Sequence, residues 1–213
     1  MYVPEIYQDD TAALGIIRNN PLALFVCDGP IAAHLPMVLE TDGDDDLIGR
    51  VLLGHINRSN PQWAGLKNGD KALAVFHGPH GYISPAVYEK HPAAPTWNFT
   101  AVHVTGEITV ADDPADVLPI ITRTVEQLEG RFGVGWDMTG SLPYFHELLP
   151  HVAAFRLRVR AVDTICKLSQ EQRPEQQERV IQWFENSDTG QHHQLARLMR
   201  DRSLGHTNPL VHR

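Results

Sequence analysis

The densest run of groups able to do chemistry is Gly54-His55-Ile56-Asn57-Arg58-Ser59-Asn60-Pro61-Gln62-Trp63. A guanidinium such as that of Arg58 binds a phosphate or a carboxylate through two parallel N–H groups. Asn60 and Pro61 fix a turn, and the indole of Trp63 offers a flat face. The imidazole of His55 has the chemistry of an iron ligand. The same run also reads as a strand–turn–helix junction whose polar side chains only cap backbone. A second cluster, His77-Gly78-Pro79-His80-Gly81-Tyr82-Ile83-Ser84-Pro85, combines glycines that admit close backbone approach with the hydroxyls of Tyr82 and Ser84. A third, Ala94-Pro95-Thr96-Trp97-Asn98-Phe99, places Trp97 where it can cover an aromatic ring. Lys167-Leu168-Ser169-Gln170 sets a cation beside a hydroxyl, a pairing suited to an anion.

Strands must carry these clusters. Leu22–Cys27 is an apolar run closed by Asp28-Gly29-Pro30, and Ile31–Glu40 resumes as a strand. Asp42–Asp46 is an acidic turn, and Leu47–Ile56 is a third strand. Lys71–His77 predicts a strand stopped by Gly78-Pro79, and residues 81–96 a long loop. Trp97–Val110 alternates and is rich in β-branched residues. Residues 9–20 and 114–130 have helical periodicity, with Val117, Ile120, Ile121, Thr124, Val125 and Leu128 on one stripe of the second. Leu142–Leu149 predicts a short helix, Val152–Leu168 a last strand, and residues 173–185 and 190–202 two terminal helices. The fold class is mainly β with α decoration, a small antiparallel barrel in a single domain over residues 1–213. All four clusters fall at strand ends, where a rigid scaffold holds functional loops.

Composition narrows the functions. The chain has 213 residues, 42% hydrophobic and 21% charged, with a formal charge of −8. No Lys/Arg-rich run is present, which disfavours nucleic acid as a partner. No stretch is long and apolar enough to span a bilayer, and the N-terminus MYVPEIYQDD has no signal-peptide pattern. The expectation is a cytoplasmic protein with no membrane partner. Cys27 and Cys166 form no CxxC pair and read as buried, reduced thiols. The Ser/His/Asp, P-loop, GxGxxG and HExxH signatures are absent, which lowers hydrolase, NTPase, Rossmann and zincin readings. His34 and His103 fall inside predicted strands and read as hydrogen-bonded core residues, although they, His77 and His80 stay open as iron ligands. Arg156, Arg158 and Arg160 alternate along the last strand and read most simply as a solvated face. The adjacent His192 and His193 read as surface residues.

Taken in order, MYVP, HLP at 34–36, GHxxRxNPQW at 54–63, GPHxYISPxxY at 78–88, PTWNFxAVHVxG at 95–106 and KLSQ at 167–170 resemble the PaiB-like family of FMN-binding negative transcriptional regulators. The resemblance implies a split β-barrel of the FMN-binding, flavin-reductase-like type, a homodimer with ligand sites at the interface. PTWNF at 95–99, RFGVGWDMTGSLPYF at 131–145 and KLSQEQ at 167–172 look closer to the piperazate synthases, a subgroup that uses heme b in place of flavin. That subgroup closes N5-hydroxy-L-ornithine into L-piperazate by forming an N–N bond. His55, at a strand end in the most distinctive motif, is the expected axial ligand, with His34, His77, His80 and His103 as the other candidates, and Arg58, Asn60, Trp63, Trp97 and Lys167 are the candidate cofactor contacts. Tyr82 and Ser84 are then the candidates for hydrogen bonds to the substrate, a hydroxylated amino acid. The alternatives are an FMN-binding regulator or oxidoreductase on the same fold, and a cofactor-free interaction module.

Overall fold

In the computed structural model six strands close into an antiparallel barrel in the order β1–β2–β3–β6–β5–β4. They are β1 (Leu22–Cys27), β2 (Ala32–Leu39), β3 (Val51–Asn57), β4 (Lys71–Ile83), β5 (Thr96–Ala111) and β6 (Val152–Lys167). The helices are α1 (Ala13–Asn19), α2 (Pro61–Gly65), α3 (Pro85–Tyr88), α4 (Pro114–Phe132), α5 (Leu142–Leu148), α6 (Pro174–Glu185) and α7 (Gly190–Gly205). The structure describes residues 1–27, 29, 31–43, 46–89 and 91–205, the last three without their side chains. Asp28 and Pro30 of the expected first turn, and Asp44 and Asp45 of the expected acidic turn, lie outside the described residues.

Two strand boundaries differ from expectation, each for a physical reason. Leu47–Arg50 is a turn, closed by the Arg50 N–H on the Leu47 carbonyl at 3.1 Å with Gly49 at φ +81°, so β3 starts only at Val51. β4 does not stop at Gly78-Pro79 but runs on to Ile83. Gly78 is there for packing and not for a turn. A Cβ at that position would run into the Thr100 hydroxyl of β5, so only a hydrogen lets the strand pass.

The chain divides into two compact units. Unit 2 comprises Ala13–Phe76 and Val102–Asp163. Its core follows from strand alternation: Phe25 and Phe155 are fully buried, with ring centroids 4.7 Å apart. The Phe155 ring lies on Gly54, its register partner across β3 and β6, where a Cβ would stand 2.5 Å from Cζ. α4 lays Val117 and Ile120 on Val38, Leu53 and Ala154. Burying each such aliphatic side chain contributes roughly 1.5–3 kcal/mol. Asp113 caps α4, its carboxylate accepting from Ala115 N–H at 2.8 Å, and Pro114 occupies the first helical position, where no N–H is needed.

Unit 1 comprises Met1–Ala12, His77–Ala101 and the chain from Thr164 onward. Its core gathers Ile83, Tyr88, Val180, Ile181, Phe184, Leu195 and Met199. Arg200 of α7 reaches back to Glu185 (2.5 Å) and Glu178 (3.2 Å) of α6, which fixes the helical hairpin. Inside the unit, Asn98 is fully buried and accepts from the Ser169 hydroxyl at 3.1 Å. Ser169 adopts φ +62° to deliver that bond.

Candidate functional site

The residues singled out in the sequence fall into two groups, one in each unit. In unit 2, β3 carries His55 opposite Ala154 of β6. The Nδ1 atom of His55 is buried and has no hydrogen-bond partner among the described residues. Burial pushes the His55 pKa below the ordinary 6.5, because the charged imidazolium is the form that low dielectric penalises. The side chain is therefore a neutral imidazole with an unengaged ring nitrogen, the form in which histidine binds a metal.

Arg58 follows β3 and is engaged within the chain. Its Nε donates to the Val152 carbonyl at 3.1 Å, and its two terminal nitrogens donate to the Asp112 carboxylate and the Asp112 carbonyl. Its guanidinium also stands 5.8 Å from the centroid of the Trp63 ring. These partners pin the end of β3 to the start of β6 and to the residue before the α4 cap. Asn60 caps α2, its side-chain oxygen accepting from Gln62 N–H at 3.0 Å. Gln62, which the sequence did not mark as more than part of the motif, is buried and donates to the Phe25 and Ile31 carbonyls, while its Oε1 has no partner among the described residues. The capping reading of this run is realised: Arg58 and Asn60 hold backbone, beside a His55 whose Nδ1 has no partner among the described residues.

In unit 1, alternation along β4 puts His80 and Tyr82 on the exposed face, and β5 opens with the exposed Trp97. The three rings meet: Trp97 lies 5.6 Å from His80 and 5.9 Å, edge-on, from Tyr82. An exposed aromatic cluster of this kind is a ready face for a flat ring system. His80 belongs to it on the strength of its i, i+2 spacing with Tyr82, a signal visible in the sequence once β4 is known to continue past Pro79. Ser84 caps α3, its hydroxyl accepting from Ala86 N–H at 3.3 Å, so its proton stays available to donate. Lys167 donates to the Thr96 hydroxyl at 2.6 Å and lies 5.7 Å from the centroid of the Tyr7 ring. The Tyr7 pKa is pushed up to about 12 by burial and by Glu171 beside it, so it stays a neutral phenol.

Other readings resolve as follows. Arg156 and Arg160 pair with Glu40 and Glu107, and Arg158 donates to the Gly49 carbonyl, so the arginine stripe is a hydrogen-bonded strand face. His34 is exposed, not a core residue, because its position on β2 falls on the outward alternation. Cys27 and Cys166 are buried free thiols. His192 is not a plain surface residue: it shares a hydrogen bond of 2.7 Å with the Ser187 hydroxyl and packs on Phe184. No cluster of three or more His, Cys, Asp or Glu side chains that could hold a metal ion occurs among the described residues. Among the described residues no helix is long and apolar enough to cross a membrane.

Comparison with known proteins adds a family. The family model described as "Putative FMN-binding domain" matches residues 1–161. Protease synthase and sporulation protein PAI 2 of Bacillus subtilis is 29% identical over 209 residues, covering 95% of this chain and 98% of its own. An uncharacterized protein of Aspergillus fumigatus is 28% identical over 236 residues, covering 87% and 90%. Among solved structures, the flavocytochrome Anf3 from Azotobacter vinelandii superposes with a TM-score of 0.52 at 13% identity, over 79% of this chain and 72% of that one. A conserved hypothetical protein from Mycobacterium tuberculosis gives 0.52 at 8% identity, over 81% and 94%. Identities this low speak for the split-barrel fold alone.

Proposed function

Because the chain belongs to the PaiB-like family of FMN-binding domains, we propose that it binds a flat cofactor, and that the cofactor is heme b in a piperazate synthase. The observation that carries the finer reading is His55: a half-buried imidazole, its pKa held down by burial and its Nδ1 without a partner among the described residues, suits iron, and FMN has no need of one. The residues present therefore fit a heme. When bound, its iron supplies a Lewis acid for the N–OH group of N5-hydroxy-L-ornithine. The reaction forms a bond between the α-nitrogen and N5 and breaks the N5–O bond. The departing oxygen leaves as water, and no net oxidation or reduction occurs.

The chain's own part is to bind, orient and move protons. His55 holds the prosthetic group. Within unit 1, Tyr82 and Ser84 are the candidate hydroxyl donors to a substrate, and Trp97 with His80 supplies the aromatic face beside Tyr82. Lys167, kept in place by Thr96, is the candidate cation for a propionate of the prosthetic group. Arg58 and Asn60 secure the loop that follows His55, with Trp63 against the Arg58 guanidinium. Orienting a flexible diamine chain is itself a large share of a cyclisation barrier. The protein is proposed to act as one domain, in the cytoplasm, as a homodimer. The exposed Val134, Trp136 and Tyr144 of unit 2 supply apolar surface for a second copy.

The second reading, an FMN-binding regulator or oxidoreductase, is favoured by the family match itself. An absorption spectrum of protein expressed with heme supplied separates the two. The expected result is a strong Soret band that shifts with N5-hydroxy-L-ornithine, together with a product lighter than that substrate by one water. A two-band flavin spectrum with no response to that substrate overturns the heme reading.

A further inference from the structure

Residues 1–12 belong to unit 1, together with the end of β6 and the α6–α7 hairpin. They make two short 3-10 turns, Glu5–Tyr7 and Asp10–Ala12, and neither turn buries a residue. Tyr2 is 87% exposed, and Met1 and Ile6 are exposed as well. The backbone meets the barrel at one isolated bridge, Gln8 opposite Ile165 of β6. The stretch it meets is buried at Ile165, Cys166 and Leu168 and half-buried at Lys167. A segment that buries so little of itself gains little from apolar burial, and it opens at lower free energy than the core it covers.

Side chains fasten it. Oδ2 of Asp9 accepts from Arg202 of α7 at 2.9 Å, and the two side chains are 24% and 22% exposed. The Thr11 hydroxyl donates to the other Asp9 oxygen at 2.6 Å, which fixes the carboxylate. Removing one partner of an ion pair this far from solvent leaves the other charge uncompensated, so the pair acts as a single clasp. Both of its members face the Cys166 thiol. Burial and the Asp9 carboxylate push that thiol up to about 11, and the Arg202 guanidinium pulls it the other way. Two residues before the clasp, the Tyr7 ring lies 5.7 Å from the Lys167 ammonium, whose hydrogen bond goes to the Thr96 hydroxyl. The clasp therefore closes over Cys166, and Tyr7 over Lys167.

We propose that residues 1–12 are a strap, clasped by Asp9 on Arg202, that opens while the rest of unit 1 stays folded and so uncovers Cys166 and Lys167. Opening frees the Lys167 ammonium, the cation that the cofactor reading calls on, but the strap itself does not depend on that reading. The probe is iodoacetamide, added to the full chain without cofactor at a series of urea concentrations below the unfolding transition. Peptide mass identifies the alkylated cysteine. Cys166 is expected to react with a far shallower urea dependence than global unfolding, because a local opening exposes little surface. Asp9→Asn and Arg202→Gln are each expected to raise its rate by about tenfold (about 1.4 kcal/mol) and to keep the shallow dependence. Acetylation of Lys167 by acetic anhydride, measured against the exposed Lys67, is expected to rise in the same two variants. A Cys166 rate that tracks global unfolding, an unchanged rate in either variant, or unchanged Lys167 acetylation beside a faster Cys166 would each overturn the proposal.

Discussion

A methyl group at Gly81 would stand 2.9 Å from Cδ2 of His192. The glycine of β4 and the imidazole of α7 are therefore in direct contact, with Phe184 of α6 pressing on the same spot at 2.8 Å. Gly81 faces inward between His80 and Tyr82, which face outward. The helical hairpin thus backs the strand that presents the aromatic cluster.

Gly81→Ala is expected to destabilise the protein by about 1–3 kcal/mol, the usual cost of forcing an extra methyl into a packed contact. His192→Ala in the same chain makes room and should recover part of the loss, since residues in contact couple non-additively. Urea denaturation of the two single variants and the double variant measures the coupling. A strictly additive cycle would show that Phe184 alone sets the clash.

His55→Gln is expected to abolish heme binding, seen as loss of the Soret band in a chain with unchanged far-UV circular dichroism. Its pH dependence offers a cofactor-free check. The folded His55 titrates below 6.5, so between its folded and unfolded pKa values the unfolded chain binds more protons. The stability that this represents is fully present above about pH 6.5 and declines as pH falls through the depressed folded value. In the apo protein, the drop in urea midpoint between about pH 7.5 and about pH 5.5, a window that spans the ordinary histidine pKa, should be smaller in His55→Gln than in the parent. An equal drop would place the acid sensitivity elsewhere.

Arg58→Ala should cost about 1–2 kcal/mol of stability even without cofactor, because it removes donors to the Val152 carbonyl and to both Asp112 oxygens. Asp112→Asn removes only the ion pair, which is partly exposed, and should cost about 0.5 kcal/mol. Thermal melts of the apo chains test this ordering. Equal losses would mean that the ion pair, not the backbone carbonyls, is what Arg58 contributes.

Ser169→Ala leaves the buried Asn98 side-chain oxygen without its donor and keeps a β-carbon at positive φ. A loss of about 1–3 kcal/mol is expected, the cost of an unsatisfied buried acceptor. Denaturant unfolding measures it. A variant as stable as the parent would show that water replaces the hydroxyl.

Much of the architecture was legible from local pattern. The Leu22–Cys27 run, the alternation of Trp97–Val110 and of Val152–Leu168, and the 3.6-residue stripe of Val117, Ile120 and Thr124 each record burial on one face, which is a property of the element's own residues. That Asn60 and Pro61 fix a turn was legible for the same reason, since a cap bonds backbone two residues on. The ordered motifs carried the family. Contacts at long sequence separation were decided only by tertiary structure. Gly78 and Pro79 look like a turn until Thr100 is seen to need the room, and Arg58 looks free for an anion until Asp112 and Val152 are found beside it. Nothing local distinguishes a His55 whose Nδ1 lacks a partner from one that has found one, because burial and partner both come from strands closing around the residue. The clasp of Asp9 on Arg202 is likewise a product of packing: its two residues lie 193 positions apart, and no single segment of sequence contains both.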